Sequence, residues 1–132
     1  MDVFQNRVAH YAESAAVLAT VERGETQGLL PAHAVTTLYY LIRKYGSRPD
    51  AEQAMDRLLS HFEIGNLLAA DWHTARTLPM NDFEDAVTAM TALSCSCCAI
   101  VTRNVRDFIH SPVPAMSPLD FLDSLPTPQP SH

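Results

Sequence analysis

Short apolar runs that alternate with longer helical patterns most limit how this chain can fold. The strand-like runs cover residues 29–30, 62–67, 98–102 and 111–116, with a short helix expected after residue 67. Apolar side chains recur at helical spacing over residues 9–24, 36–46, 49–61 and 81–95, and Ser117 and Pro118 begin a further helix. Strands separated by helices favour parallel pairing. The sequence therefore predicts a three-layer α/β/α domain with a mostly parallel sheet.

Length and composition narrow the function classes. The 132 residues suit one domain, predicted over residues 1–124, followed by a disordered, proline-rich tail over residues 125–132. The formal net charge of −6 argues against a protein that coats nucleic acid nonspecifically, so any contact with RNA is expected to be local. No apolar run approaches the ~20 residues of a membrane span. Three cysteines within four positions favour a reducing, cytoplasmic setting.

The helix predicted over residues 81–95 carries a cluster of acids at its start. Asn81 is the expected N-cap and Glu84 completes a capping box. Asp82, Glu84 and Asp85 fall in the first turn, where the helix dipole favours negative charge. The cluster is therefore open to two interpretations, a stabilised helix terminus or a source of metal ligands.

The arrangement of side chains on the faces of this helix favours a metal-ligand role at Asp85. Asp85 shares a ridge with Ala89 and Ala92, so its carboxylate can approach another element closely, as a hard divalent ion requires. The face expected to point into the core carries five apolar side chains: Phe83, Ala86, Val87, Met90 and Leu93.

Polar side chains follow the predicted strand at residues 98–102. Thr102, Asn104 and Asp107 come where that strand ends, and binding sites in parallel sheets form at the carboxyl ends of strands. The alternative is a polar loop in which Asn104 and Asp107 only make turns.

Other chemistry-bearing residues lack the spacing of a site. The cysteines have no second cluster that would complete a zinc site, so they are interpreted as buried small side chains at a helix-to-strand junction. The histidines are scattered and receive no ligand role. Tyr39 and Tyr40 are assigned to the core and an interface rather than to base stacking.

Three strings together resemble a known family. NDFEDAVTAMTA, CAIVTRNVRDF and SPVPAMSPLDFL are similar to the C-terminal half of PIN-domain proteins, the VapC-like toxin ribonucleases in particular. TTLYYLIRKYG resembles the helix that those proteins place after their second strand, and the likeness extends from about residue 2 to 124. The resemblance implies cleavage of RNA phosphodiesters that depends on Mg²⁺ or Mn²⁺.

The resemblance also implies roles for individual residues. Asp85 matches the acid on the long helix, and Asp107 lies in the loop that carries the last acidic position; both are expected to hold the metal and to be catalytic. Asn104 and Asp82 are the further expected metal ligands. The expected substrate-binding residues are Thr102, Arg103 and Arg106.

Two acids of the family pattern have no counterpart here. Relatives open with a strand that ends in Asp-x-Asn, whereas this chain begins with a segment similar to the one just after that motif, with Asp2 fitting a later acid. Thr36 and Thr37 occupy the place of an early helical Glu. The first strand is therefore predicted to be missing, either because the true start lies upstream or because the domain has decayed.

These observations leave three functions open. The first is a metal-dependent endoribonuclease toxin that forms a homodimer and is inhibited by a small antitoxin. The second is a truncated or degenerate PIN domain that acts as a binding or regulatory protein without catalysis. A receiver-like or flavodoxin-like domain is the third, but the chain lacks a Gly-rich phosphate loop and an acid-rich first strand end.

Overall fold

The computed structural model describes residues 8–126, which alternate between helices and short strands. The α/β class predicted from the sequence is confirmed. No helix in this part of the chain is long and apolar enough to cross a bilayer. In chain order the elements are α1 Val8–Glu22, β1 Leu29–Pro31, α2 Ala32–Tyr45, α3 Arg48–His61, β2 Glu63–Gly65, α4 Ala69–Ala75, α5 Phe83–Ser94, β3 Ile100–Val101, a 3₁₀ turn Val105–Phe108, β4 Ala115–Met116 and α6 Pro118–Ser124.

Local capping signals explain where several helices begin. The Ser117 hydroxyl accepts a hydrogen bond from the Asp120 amide at 3.1 Å, which confirms the predicted start of α6. Ser47 caps α3 in the same way, through the Asp50 amide at 3.2 Å. The prediction of Asn81 as the N-cap of α5 is wrong by one position. Asp82 has the extended backbone of an N-cap, and its carboxylate accepts from the helix instead.

The strands pair in parallel, as predicted, but they form two separate pairs within residues 8–126. Leu29, Leu30 and Pro31 of β1 face Glu63, Ile64 and Gly65 of β2. Ile100 and Val101 of β3 face Ala115 and Met116 of β4. Strands of two or three residues make few ladder bonds, and no described strand joins β1 to β3. Within residues 8–126 the two parallel pairs are therefore connected by helix packing and not by strand pairing.

Helix α5 is the element around which the core is organised. Its buried residues are Ala86, Val87, Ala89, Met90, Thr91 and Ala92, which surround the helix rather than forming one stripe. One side joins a cluster with Ile100, Phe108 and Val113, and the other packs against Ala75 of α4. The small side chains of α5 allow this close approach on several sides.

The predicted inward face of α5 is wrong at its two ends. Phe83 and Leu93 are 49% and 46% exposed, although Ala86, Val87 and Met90 are buried as expected. Helical periodicity predicts the direction in which a side chain points. It does not predict whether that turn of the helix lies in the core or at the protein surface. The first and last turns of α5 lie at the surface, so large apolar residues there remain in contact with water.

The three cysteines, predicted to be buried, are more accessible than expected. Cys98 is exposed in the loop before β3, and Cys95 and Cys97 are half-buried. Tyr39 is half-buried with its hydroxyl donating to Glu52 Oε1 at 2.9 Å.

Two predictions concern the chain termini. The missing first strand and the role of Asp2 fall on residues 1–7, which lie outside the described residues. The tail predicted over residues 125–132 also lies outside them from residue 127 onward.

Close packing between α5 and β2 generates a stability prediction at Gly65. A Cβ at Gly65 would lie 2.7 Å from Thr91 Cγ2, on the fully buried side of α5. We expect Gly65→Ala to lower the free energy of unfolding by about 1–3 kcal/mol, because the helix and strand must separate. Thr91→Ser removes the opposing methyl group and should restore part of this loss. A double-mutant cycle in urea measures the effect, and a zero coupling energy would contradict the packing described.

Candidate functional site

The first turn of α5 fixes the position of Asp85. The Asp82 carboxylate accepts a hydrogen bond from the Asp85 amide at 2.9 Å, and the Asp82 carbonyl accepts from Ala86. The capped turn leads directly into the buried part of the helix, so the Asp85 side chain is half-buried. This agrees with the ridge of small residues, since Ala89 and Ala92 below Asp85 are both buried.

The loop after β3 brings a second acid to the same edge. The Thr102 hydroxyl accepts a hydrogen bond from the Asn104 amide at 3.0 Å, and the Asn104 carbonyl accepts from the Asp107 amide at 3.0 Å. Phe108 is buried in the cluster that includes Ala89 and thereby anchors the 3₁₀ turn against α5. Asp107 and Asn104 are exposed at the surface of this anchored turn.

The pKa of the Asp85 carboxyl reflects both burial and the charges of other acids. Burial raises the pKa of the Asp85 carboxyl, and the charges of Asp82, Asp107 and Glu84 raise it further. No cationic side chain among residues 8–126 lowers this pKa. The ion pairs identified in that region, Arg23 with Glu25 and Arg57 with Glu22, involve other carboxylates. Asp85 is therefore a partly buried carboxylate in an environment of like charge.

This environment fits a divalent cation in charge and donor type but supplies few ligands. A hard cation prefers carboxylate oxygens and would relieve the repulsion around Asp85. However, no three acidic, histidine or cysteine side chains of the described segment gather closely enough to hold a metal. Mg²⁺ commonly keeps several waters and binds through one or two carboxylates together with substrate phosphates. A site with only one or two carboxylate ligands is therefore compatible with these residues.

The remaining predicted site residues differ in whether their side chains are exposed and whether they already form hydrogen bonds. Asp82 already uses its carboxylate to cap α5. Thr102 is half-buried, with its hydroxyl engaged by the Asn104 amide. Arg106 is exposed beside Asp107, whereas Arg103 is half-buried. Arg106 is thus the more accessible of the two predicted phosphate contacts.

A cavity beside the first turn of α5 brings in two residues, His33 and Trp72, that the sequence patterns did not single out. It has a volume of about 240 Å³ and is lined by His33, Thr37, Trp72, Phe83, Glu84 and Val87. His33 Nε2 lies 3.3 Å from Thr88 Oγ1. Burial lowers the pKa of His33, and the charge of Glu84 partly offsets this effect. The neutral imidazole can therefore donate or accept a hydrogen bond, depending on its tautomer.

One sequence signal could have pointed to this cavity. His33 follows β1 by two residues, at the carboxyl end of a parallel strand, where sites are expected. Thr37, which stands near the place of the family's helical Glu, also faces the cavity. Trp72 carried no such signal, because α4 is short and its packing against α5 is not visible in the sequence.

A comparison with protein family models shows which family this chain belongs to. The family model described as PIN domain matches residues 1–106. The chain belongs to the PIN domain family. The match covers four fifths of the chain and includes the acidic turn of α5; Asp107 follows directly after it. No curated protein and no solved structure gives a significant match. The PIN domain is a nuclease-type fold whose members generally use divalent metal ions and commonly bind RNA.

The raised pKa of Asp85 generates a prediction about this PIN domain without metal. A carboxyl whose pKa is higher in the folded than in the unfolded state destabilises the fold when it is ionised. The loss of stability begins as pH rises through the ordinary pKa of the group, which is 3.8 for Asp85. We expect Asp85→Asn to increase the free energy of unfolding at neutral pH in EDTA by roughly 0.5 kcal/mol, a scale reduced by solvent screening. The gain should shrink as pH falls and vanish below about pH 3, where the wild-type carboxyl is protonated in both states.

Chemical denaturation over a pH series measures this difference. Asp56→Asn is the matched control, because Asp56 is an exposed carboxylate on α3 that does not contribute to the electrostatics of Asp85. A stability loss for Asp85→Asn that is constant with pH would contradict the unfavourable environment assigned to this carboxyl.

Proposed function

We propose that this PIN domain is a metal-dependent endoribonuclease of the VapC-like toxin type. The observation that carries the proposal is the half-buried Asp85 carboxylate, whose pKa is raised by burial and by the neighbouring charges of Asp82 and Asp107. The first turn of a helix by itself favours an ionised acid, whereas the surroundings of Asp85 disfavour its ionised form. A carboxylate held among other carboxylates is typical of a site that a cation completes.

Asp85 and the residues around it have separate roles in the proposed RNA cleavage. Asp85 on α5 and Asp107 on the 3₁₀ turn would hold Mg²⁺ or Mn²⁺. When bound, such an ion neutralises charge on a phosphate and activates water as a nucleophile. Arg106, exposed on the same turn, contacts the RNA phosphate, and Arg103 supports it from the loop. Asn104 and Thr102 shape this loop and complete the polar surroundings of the phosphate.

A non-catalytic PIN domain is the second candidate. It is favoured by one observation, namely that the described residues gather fewer than three metal-ligating side chains in one place. In that case the domain would act as a binding or regulatory protein and would retain the fold without hydrolysing RNA. The two candidates differ in whether RNA is cut when metal is present.

The partners proposed for the toxin type are a small antitoxin protein and a second copy of the chain. Both are implied by the resemblance to VapC-like proteins, as is the cytoplasmic location. Ile109, which is 75% exposed directly after the 3₁₀ turn, offers an apolar contact beside the proposed site. A partner that covers Ile109 would also restrict access to Asp107.

Cleavage of a labelled single-stranded RNA of mixed sequence tests the proposal. The chain should cut it with Mg²⁺ or Mn²⁺ and should stop when EDTA is added. Asp85→Asn should lower the rate at least about a hundredfold, the scale for removing one group that stabilises the transition-state charge. Asp56→Asn makes the same charge change on α3 and should cleave like the wild type. Cleavage that survives both EDTA and Asp85→Asn would contradict the proposal.

A further inference from the structure

Two aromatic side chains from different helices meet at the surface beside the acidic turn. The ring centroids of Trp72 and Phe83 are 6.2 Å apart, and the ring planes are inclined by 47°. The two residues are 41% and 49% exposed. A tilted pair of this kind contributes to α4–α5 packing. Its exposure also leaves aromatic surface available to a planar ligand.

Polar side chains of three kinds line the same cavity. His33 provides an imidazole that contacts Thr88, Thr37 provides an exposed hydroxyl, and Glu84 provides an exposed carboxylate. The volume of about 240 Å³ is below the ~300–1,000 Å³ of pockets for drug-sized ligands. The cavity therefore suits a single planar ring with hydrogen-bonding edges.

The location of the cavity connects it to the proposed cleavage site. Phe83 and Glu84 directly precede Asp85 in the first turn of α5, so the cavity and the acid cluster share this turn. An RNA strand bound at the acid cluster would therefore pass beside the cavity. Single-stranded nucleic acids are commonly held in this way, by stacking of unpaired bases on aromatic side chains.

We propose that the cavity between α2, α4 and α5 binds one unpaired nucleobase of the RNA, stacked against Trp72 and Phe83. This inference rests on the proposed nuclease function and adds a base-specificity site to it. The Glu84 carboxylate accepts hydrogen bonds and cannot donate them. It favours guanine, whose N1–H and N2 amino group are adjacent donors, and it disfavours the carbonyl oxygens of uracil.

Intrinsic fluorescence tests the inference without cleavage, because Trp72 is the single tryptophan of the chain. The full chain in EDTA is titrated with guanosine monophosphate and, separately, with uridine monophosphate. Excitation at the red edge of the tryptophan band avoids absorption by the nucleotides. Saturable quenching by guanosine monophosphate, with at least about tenfold weaker binding of the uridine nucleotide, is the expected result. No saturable quenching, or equal affinity for the two nucleotides, would overturn the inference.

Two surface variants separate stacking from edge recognition while keeping the reporter. Phe83→Leu should weaken binding of the guanine nucleotide on the order of tenfold, the scale for loss of one stacking ring. Glu84→Gln should reduce the preference for guanine over uracil and leave stacking intact. Circular dichroism confirms that each variant is folded. Unchanged affinity in folded Phe83→Leu would contradict the stacking assignment.

Failure of this inference is distinguishable from failure of the nuclease proposal. Quenching with the expected base preference, but no RNA cleavage, would support the base site and contradict the nuclease. Metal-dependent cleavage without base-dependent quenching would support the nuclease and overturn the base site.

Discussion

The close packing of α5 against its neighbours is the constraint on which the rest of this structure depends. Its buried turns contain mostly small residues, and Gly65 of β2 approaches Thr91 so closely that a Cβ has no room. The same helix contacts α4, β1 and the 3₁₀ turn after β3. The two strand pairs are therefore linked through one helix, and the first turn of that helix carries Asp85.

This packing has an electrostatic consequence. Because α5 enters the core immediately after its capped first turn, Asp85 loses part of its hydration, and the charge of Asp107, on the turn that Phe108 anchors, raises its pKa further. The free energy gained by burying apolar surface thus maintains a folded arrangement in which these carboxylates repel each other. Functional sites often contain such locally unfavourable groups, supported by the stability of the surrounding fold.

Much of the fold could be predicted from local sequence signals. The contacts between segments that are distant in the sequence could not. Ser117 and Pro118 gave the start of α6 because capping depends on neighbouring residues alone. The exposure of Phe83 could not be predicted, because it depends on how far α5 extends beyond the core. The meeting of His33 with Trp72 requires α2, α4 and α5 to be placed together. The family resemblance found Asp85 and Asp107 from order and spacing, while the base-sized cavity needed the structure.

Titration of the chain with Mn²⁺ by calorimetry, without RNA, measures whether Asp85 and Asp107 together form the proposed cation site. We expect saturable binding that Asp85→Asn and Asp107→Asn each weaken by at least about tenfold, the lower scale for disturbing a metal site. Asp56→Asn should bind Mn²⁺ like the wild type. Equal affinity in all four proteins, or no binding by the wild type, would contradict the proposed cation site.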